Sequence, residues 1–318
     1  MTPYYTSFSP AATKGGLASV MIGSAGVLAP GKFHPVRALG WLAVLCVAIV
    51  VTFNAVARTT LWLMAWATGT QLASTSAAPG SFKLVAAVAG SMALVATYWL
   101  LVRLGERRKV PELDLRHGPS DLLVGSATGA ALMTAIIGAL WIFGWAVIAP
   151  RTIDGITLAL RDSIRSGVLE ELVLRLVIFR ILWRAAGIWP ALVGAALLFG
   201  VLHLANPDSS LFAAACLIAG EGIGIGLYLL TGRIWAPIGM HAAWNFTQGW
   251  IFGAVVSGTT EIGGGPLVLY PAKGIPGALS GGGFGPEASG AALIVSLIAS
   301  AALLFAAWKC GRFVAEDE

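Results

Sequence analysis

Leu169-Glu170-Glu171-Leu172-Val173-Leu174-Arg175 sets two adjacent carboxylates and a guanidinium inside a long apolar run. A charge at the centre of a bilayer costs roughly 2.5–3.5 kcal/mol on insertion scales, so such residues face a bundle interior or a wet cavity. On a helix, Glu171 and Arg175 are four apart, share a face and can pair. Glu170 is rotated by about 100° from Glu171. It is therefore the carboxylate left free to point into a cleft. The rest of the chain reads as the wall around that cleft.

The composition sets the class. Of 318 residues, 57% are hydrophobic and 11% charged, and the mean hydropathy is +0.83. Soluble domains carry about 25% charged residues. An all-α polytopic membrane protein is expected, with about eight transmembrane helices around a polar intramembrane cavity. The net charge is +5, but the basic residues cluster beside apolar spans, where they set orientation. Nucleic acid is therefore rejected as a partner; the bilayer is the expected one. Cys46, Cys216 and Cys310 are scattered and give no metal spacing or disulfide framework.

In chain order, residues 1–37 read as a flexible tail. Ala55-Val56-Ala57 imitates a cleavage site, but the charged lead-in is too long and the apolar stretch too extended for a signal peptide. A span needs about 20 mostly apolar residues. Spans are expected over 38–57, 84–102, 121–149, 188–205, 209–230, 234–256 and 289–307. A long helix over 152–184 carries the glutamate pair and closes with Arg180 and Arg184. Thr59–Ala73 reads as a helix extension or an interfacial segment. Residues 257–288 read as a Gly- and Pro-rich loop. The transmembrane unit is 38–308 and the C-terminal tail 309–318. Eight spans put both termini on one side. The N-terminal tail and the 103–116 loop hold eight of the 20 Lys and Arg residues, so positive-inside places them, and both termini, in the cytoplasm of a cell with this protein in its plasma membrane.

Four further polar groups lie at membrane depth. His203 stands one turn after Phe199, His241 is four residues before Asn245, and Glu221 lies between Gly220 and Gly222. Each has a plainer reading. The glutamates and Arg175 fit a structural ion pair. The histidines and Asn245 fit contacts between helices. Glu221 has no obvious partner in sequence and reads as structural. Taken together, a carboxylate, two histidines and an amide are a poor choice for stability alone and a good one for hydrolysis.

Glu170-Glu171-x-x-x-Arg175, Phe199-x-x-x-His203 and His241-x-x-x-Asn245 resemble the three motifs of the CPBP family. This is the CAAX-protease and bacteriocin-processing group, which includes the type II CAAX prenyl protease (Ras-converting enzyme). Each motif is weak alone; three in order on successive apolar spans are a strong signal. Leu230-Thr231-Gly232-Arg233-Ile234-Trp235-Ala236-Pro237-Ile238-Gly239 is similar to the family's lead-in to its third motif, and Phe284-Gly285-Pro286-Glu287 to a run in bacterial members. The motifs cover about 155–250. The resemblance implies intramembrane hydrolysis of a peptide bond in a membrane-associated, CAAX-type or otherwise lipidated protein or peptide. It implies that Glu170 and His203 activate water, and that His241 and Asn245 stabilise the oxyanion. Glu171, Arg175 and Phe199 then support the site. It gives Glu221 no role. The residue types suit the chemistry: burial brings a carboxyl group towards the working range of a general base, and a donor to an oxyanion is worth about 3–4 kcal/mol.

Metal is the open point. Glu170, His203 and His241 match the His₂Glu style of zinc hydrolases. The chain lacks the paired-histidine helix of the zincins, and its two histidines lie on different spans, so a metal-free site without cofactor is expected, with zinc the alternative. Two other functions compete. A transporter or ion relay would use the same buried charges, although no repeated halves are visible. A catalytically inactive immunity or adaptor homologue would keep the fold; the intact motifs argue against it.

Overall fold

The computed structural model describes residues 20–259 and 264–314. The elements in order are α1 (His34–Thr68), α2 (Gly80–Leu101), α3 (Gly118–Ile142), β1 (Ala146–Pro150), α4 (Ile156–Glu171), α5 (Arg180–Ala186), α6 (Ile188–Leu202), α7 (Leu211–Thr231), α8 (Trp235–Phe246), β2 (Leu267–Pro271), α9 (Gly277–Ser280) and α10 (Gly290–Lys309). The protein is an all-α polytopic membrane protein. Among the described residues, six helical stretches are long and apolar enough to cross a membrane: His34–Thr68, Gly80–Glu106, Gly118–Ile142, Ile188–Ala205, Leu211–Thr231 and Gly290–Lys309. The other two long helical stretches carry the first and third motifs. One, over 156–186, is rich in charge; the other, over 235–251, is short.

α4 and α5 form one continuous helix, joined by a π-helical stretch, Leu172–Phe179. A second π turn, Thr247–Ile251, extends α8. Such turns are rare and concentrate at functional sites. Here they directly follow Glu170-Glu171 and Asn245.

Several boundaries differ from the sequence reading. The first span is a single helix through Thr68, ended by Gly69 in the left-handed region at φ 68°. The third stops at Ile142, and Ala146–Pro150 is instead a strand paired antiparallel with Leu267–Pro271. The segment read as an open loop over 257–288 thus contains a strand, α9 and a 3-10 turn at Pro286–Ala288; residues 260–263 lie outside the described ones. The N-terminal segment read as a flexible tail is described from residue 20. There Val20, Ile22 and Leu28 are buried against the main core. Arg108 and Arg180, read as flanking charges, are buried too. Arg180 contacts Glu106 through two nitrogens at 2.6 and 2.7 Å, and Arg108 binds Glu106 at 2.8 Å and Glu112 at 2.6 Å. Tyr98 Oη donates to Glu112 at 2.6 Å. This neutral cluster, and not an exposed basic loop, locks the end of α2 to α5.

Helices without a hydrophobic drive between them associate through small residues that let backbones approach. α8 uses this device on two sides. Against α3, a Cβ at Gly125 would lie 2.0 Å from the Ala236 carbonyl, and one at Gly129 2.0 Å from that of Met240. Against α4, a Cβ at Gly167 would lie 2.9 Å from that of Ala242. Arg233 fastens the start of α8 to α3 through Asp121, with contacts of 2.6 and 3.2 Å. α8 is thereby wedged between α3 and α4, which fixes the height of His241.

Gly129→Leu should split the α3–α8 contact and lower stability by about 1–3 kcal/mol or more, the cost of overpacking. Gly138→Ala on the same helix opens on empty space and should be neutral or slightly stabilising, because alanine is the better helix former. Thermal unfolding of both variants in detergent checks the pair; equal stability would contradict the close approach.

Candidate active site

A cavity of about 620 Å³ lies between α4, α6, α7 and α8, and Glu170, His203, His241 and Asn245 all line it. The helical phasing is as the sequence implied. The Glu170 side chain is 34% exposed, whereas that of Glu171 is 1% exposed. Both glutamates line the cavity, but one carboxylate is open to it and its neighbour is buried in its wall.

Glu171 divides its two oxygens. Oε2 meets Arg175 Nε at 2.9 Å, and Oε1 accepts from His241 Nδ1 at 2.7 Å. An ionised carboxylate only accepts, so Nδ1 carries the proton. The opposite nitrogen, Nε2, stands 3.8 Å from Glu170 Oε2. His241 is thus held between both members of the glutamate pair. The sequence placed Glu171 with Arg175 but could not show this second partner, seventy residues away.

His203 sits where α6 tightens into a 3-10 turn, His203–Ala205. Its Nδ1 lies 2.8 Å from the Phe199 carbonyl. A carbonyl also only accepts, so this bond fixes the tautomer and leaves Nε2 as a free acceptor. The Phe199 ring lies 4.4 Å from the His203 ring and edge-on to His241 at 6.5 Å, centroid to centroid. Phe199 is an apolar spacer between the two imidazoles.

Asn245 is buried and donates from Nδ2 to Ser166 Oγ at 2.8 Å. Ser166 in turn donates to the Asp162 carbonyl one turn earlier, also at 2.8 Å. The sequence reading missed Ser166, although it lies one turn before Glu170 on the face that meets α8. It also missed a partner for Glu221. Both Glu221 oxygens lie 3.2 Å from the terminal nitrogens of Arg175, and Glu221 lines the cavity wall.

A carboxylate to which the sequence reading gave no role is Glu287, from the Phe284-Gly285-Pro286-Glu287 run. It is 5% exposed. Its Oε1 accepts from the Ser257 backbone N–H at 2.6 Å and from Ser257 Oγ at 2.7 Å. Ser257 has φ 48°, a left-handed conformation uncommon for serine. Its carbonyl accepts from Asn206 Nδ2 at 3.0 Å. Ser257, Asn206 and Glu287 all line the cavity. The turn over 256–259 is therefore pinned across the cavity rim from two sides.

Residues 152–247 match the family model described as type II CAAX prenyl endopeptidase Rce1-like. Over that segment the chain is similar to Rce1-like, CPBP-type proteins. The match runs from just before α4 to just past Asn245, so it takes in all three motifs and most of the cavity. A search of the curated proteins finds no match, and a search of the solved structures finds none. The proteins that this model describes are endopeptidases of the CAAX prenyl type.

The zinc alternative can be set against the donor geometry. Nδ1 of each histidine is already committed, and Glu171 is committed to Arg175 and His241. Among the described residues, no three His, Cys, Asp or Glu side chains are grouped as a metal ion would need. Glu170, His203 and His241 line one cavity without forming such a ligand set.

Glu287→Ala would strip two acceptor contacts from a half-buried turn, and should cost about 1–3 kcal/mol. It should also speed hydrogen exchange at the Ser257 N–H in particular. Unchanged exchange at Ser257 would contradict the pinning of the rim.

Proposed function

We propose that the cavity hydrolyses a peptide bond, with Glu170 and His203 as the pair that activates water and His241 and Asn245 as the oxyanion donors. The observation that carries this reading is the convergence of Glu170, His203, His241 and Asn245, from three helical segments, on one cavity. The free acceptor of His203 and the half-exposed carboxylate of Glu170 are the groups suited to take a proton from water. The water oxygen adds to the scissile carbonyl carbon, and the carbonyl oxygen becomes an oxyanion. His241 donates from Nε2 in its doubly protonated form, with Nδ1–H given to Glu171. The Asn245 amide, turned by Ser166, is the second donor. Collapse of the intermediate breaks the C–N bond, and the proton held by the acid–base pair passes to the leaving amine.

The substrate is proposed to be a membrane-associated peptide or protein, with lipidation as one form of that association. The commitment of both histidine Nδ1 atoms and of Glu171 to protein partners, with no clustered ligand set among the described residues, favours hydrolysis without a metal. Glu171, Arg175 and Phe199 hold the reacting groups in place. An even number of crossing helices would put both termini on one side, and the basic residues near them favour the cytoplasmic face of the plasma membrane.

The test is cleavage of a fluorogenic peptide library by the detergent-purified protein. Glu170→Gln and His203→Ala should each lower kcat by about 10²–10⁴-fold, the usual worth of a positioned acid or base, while a chelator leaves the wild type active. Loss of activity with chelator and its return with zinc would move Glu170, His203 and His241 into a metal shell. Equal cleavage by the variants would remove the assigned residues from the reaction.

A further inference from the structure

Glu221 stands outside the three motifs and outside the reaction just described. It is 2% exposed, on α7, in a wall of the cavity. Its oxygens meet Arg175 as a fork: Oε1 lies 3.2 Å from Nη1, and Oε2 lies 3.2 Å from Nη2. Glu171 holds the same guanidinium from the other side, at Nε.

Charge alone does not require this second carboxylate. Glu171 already neutralises Arg175, and burying another ionised group carries a desolvation cost. What the fork adds is orientation. A contact at Nε alone leaves the guanidinium free to turn, whereas paired contacts at both terminal nitrogens fix its plane. The floor beneath it is bare backbone: a Cβ at Gly224, one turn after Glu221, would lie 1.9 Å from Arg175 Nη2. The fork itself is anchored. Ser300 Oγ of α10 donates to the Ala219 carbonyl at 2.6 Å, and a Cβ at Gly222 would lie 2.7 Å from that of Ser300. α10 therefore sets the height of α7 at Glu221.

We propose that Glu221 is a positioning residue for the hydrolytic site, acting through Arg175 and Glu171 on the imidazole of His241. The proposal rests on the protease reading above. The line of contacts is continuous: Glu221 to Arg175 at 3.2 Å, Arg175 to Glu171 at 2.9 Å, Glu171 to His241 Nδ1 at 2.7 Å, and His241 Nε2 to Glu170 at 3.8 Å. Arg175 controls where Glu171 Oε2 lies, and thereby where Oε1 meets the ring. Without the fork, Glu171 is free to turn with Arg175, and the ring loses the bond that aims Nε2 into the cavity.

Glu221→Gln keeps the size of the side chain and removes its charge. Gly224→Ala keeps every charge and presses on the guanidinium. Both variants are compared with wild type for kcat, KM, thermal unfolding and the NMR signal of the His241 Nδ1–H, identified by its loss in His241→Gln. The expected result is a kcat lower by about 10–100-fold, taken from the loss seen when a partner that orients a metal-ligating histidine is removed. KM and folding should be little changed, and the Nδ1–H signal should be shifted or lost. A folded variant with wild-type kcat and an unchanged signal would overturn the proposal. If Glu221→Gln does not fold, Gly224→Ala decides in the same terms. If the wild type cleaves nothing, the protease reading fails while the Nδ1–H signal still tests the role of Glu221.

Discussion

The ionised side chain of Arg175, buried inside an apolar bundle, is the constraint on which the site depends. A guanidinium cannot be neutralised by losing its proton, so carboxylates must be brought to it. Glu171 comes from one turn earlier on the same helix, and Glu221 from α7. With Glu171 turned inward, helix geometry turns Glu170 outward by about 100°. One buried charge thus explains why two adjacent glutamates have different surroundings, and why Glu170 is the one left open to the cavity.

The helix packing serves the same end. Gly125 and Gly129 on α3, and Gly167 on α4, let α8 approach closely enough for His241 to reach Glu171. The π-helical stretch after Glu171 alters the helix register just where Arg175 must turn towards α7. At its far end, Arg180 is tied to Glu106 and the Ile22 carbonyl. The helix is therefore held by polar contacts on both sides of its irregular segment.

Much of this was legible in the sequence, and the limit lies in what periodicity can tell. Spacing gives the face a side chain occupies, so the Glu171–Arg175 pair and the separation of Glu170 were readable from four- and one-residue offsets. Spacing does not give the partner across the bundle. The bonds of Glu171 to His241, of Glu221 to Arg175 and of Arg180 to Glu106 each join residues at least 46 positions apart. Arg108 is a different case: its partners Glu106 and Glu112 are two and four residues away, but spacing does not say that Arg180 comes to the same carboxylate and that the cluster is buried. The strand at Ala146–Pro150 was missed because a short apolar run after a helix reads as more helix. Only its pairing with Leu267–Pro271 distinguishes it.

The proposed function sets the polar groups of this cavity around a tetrahedral intermediate and not around a metal. The most direct measurement is an experimental structure of the protein with a peptide phosphinate, a mimic of that intermediate, bound in the cavity. The expected result is one phosphinyl oxygen within hydrogen-bond reach of His241 and Asn245, and the other facing Glu170 and His203. A metal ion bridging Glu170, His203 and His241, or a ligand seated outside the cavity, would contradict the account.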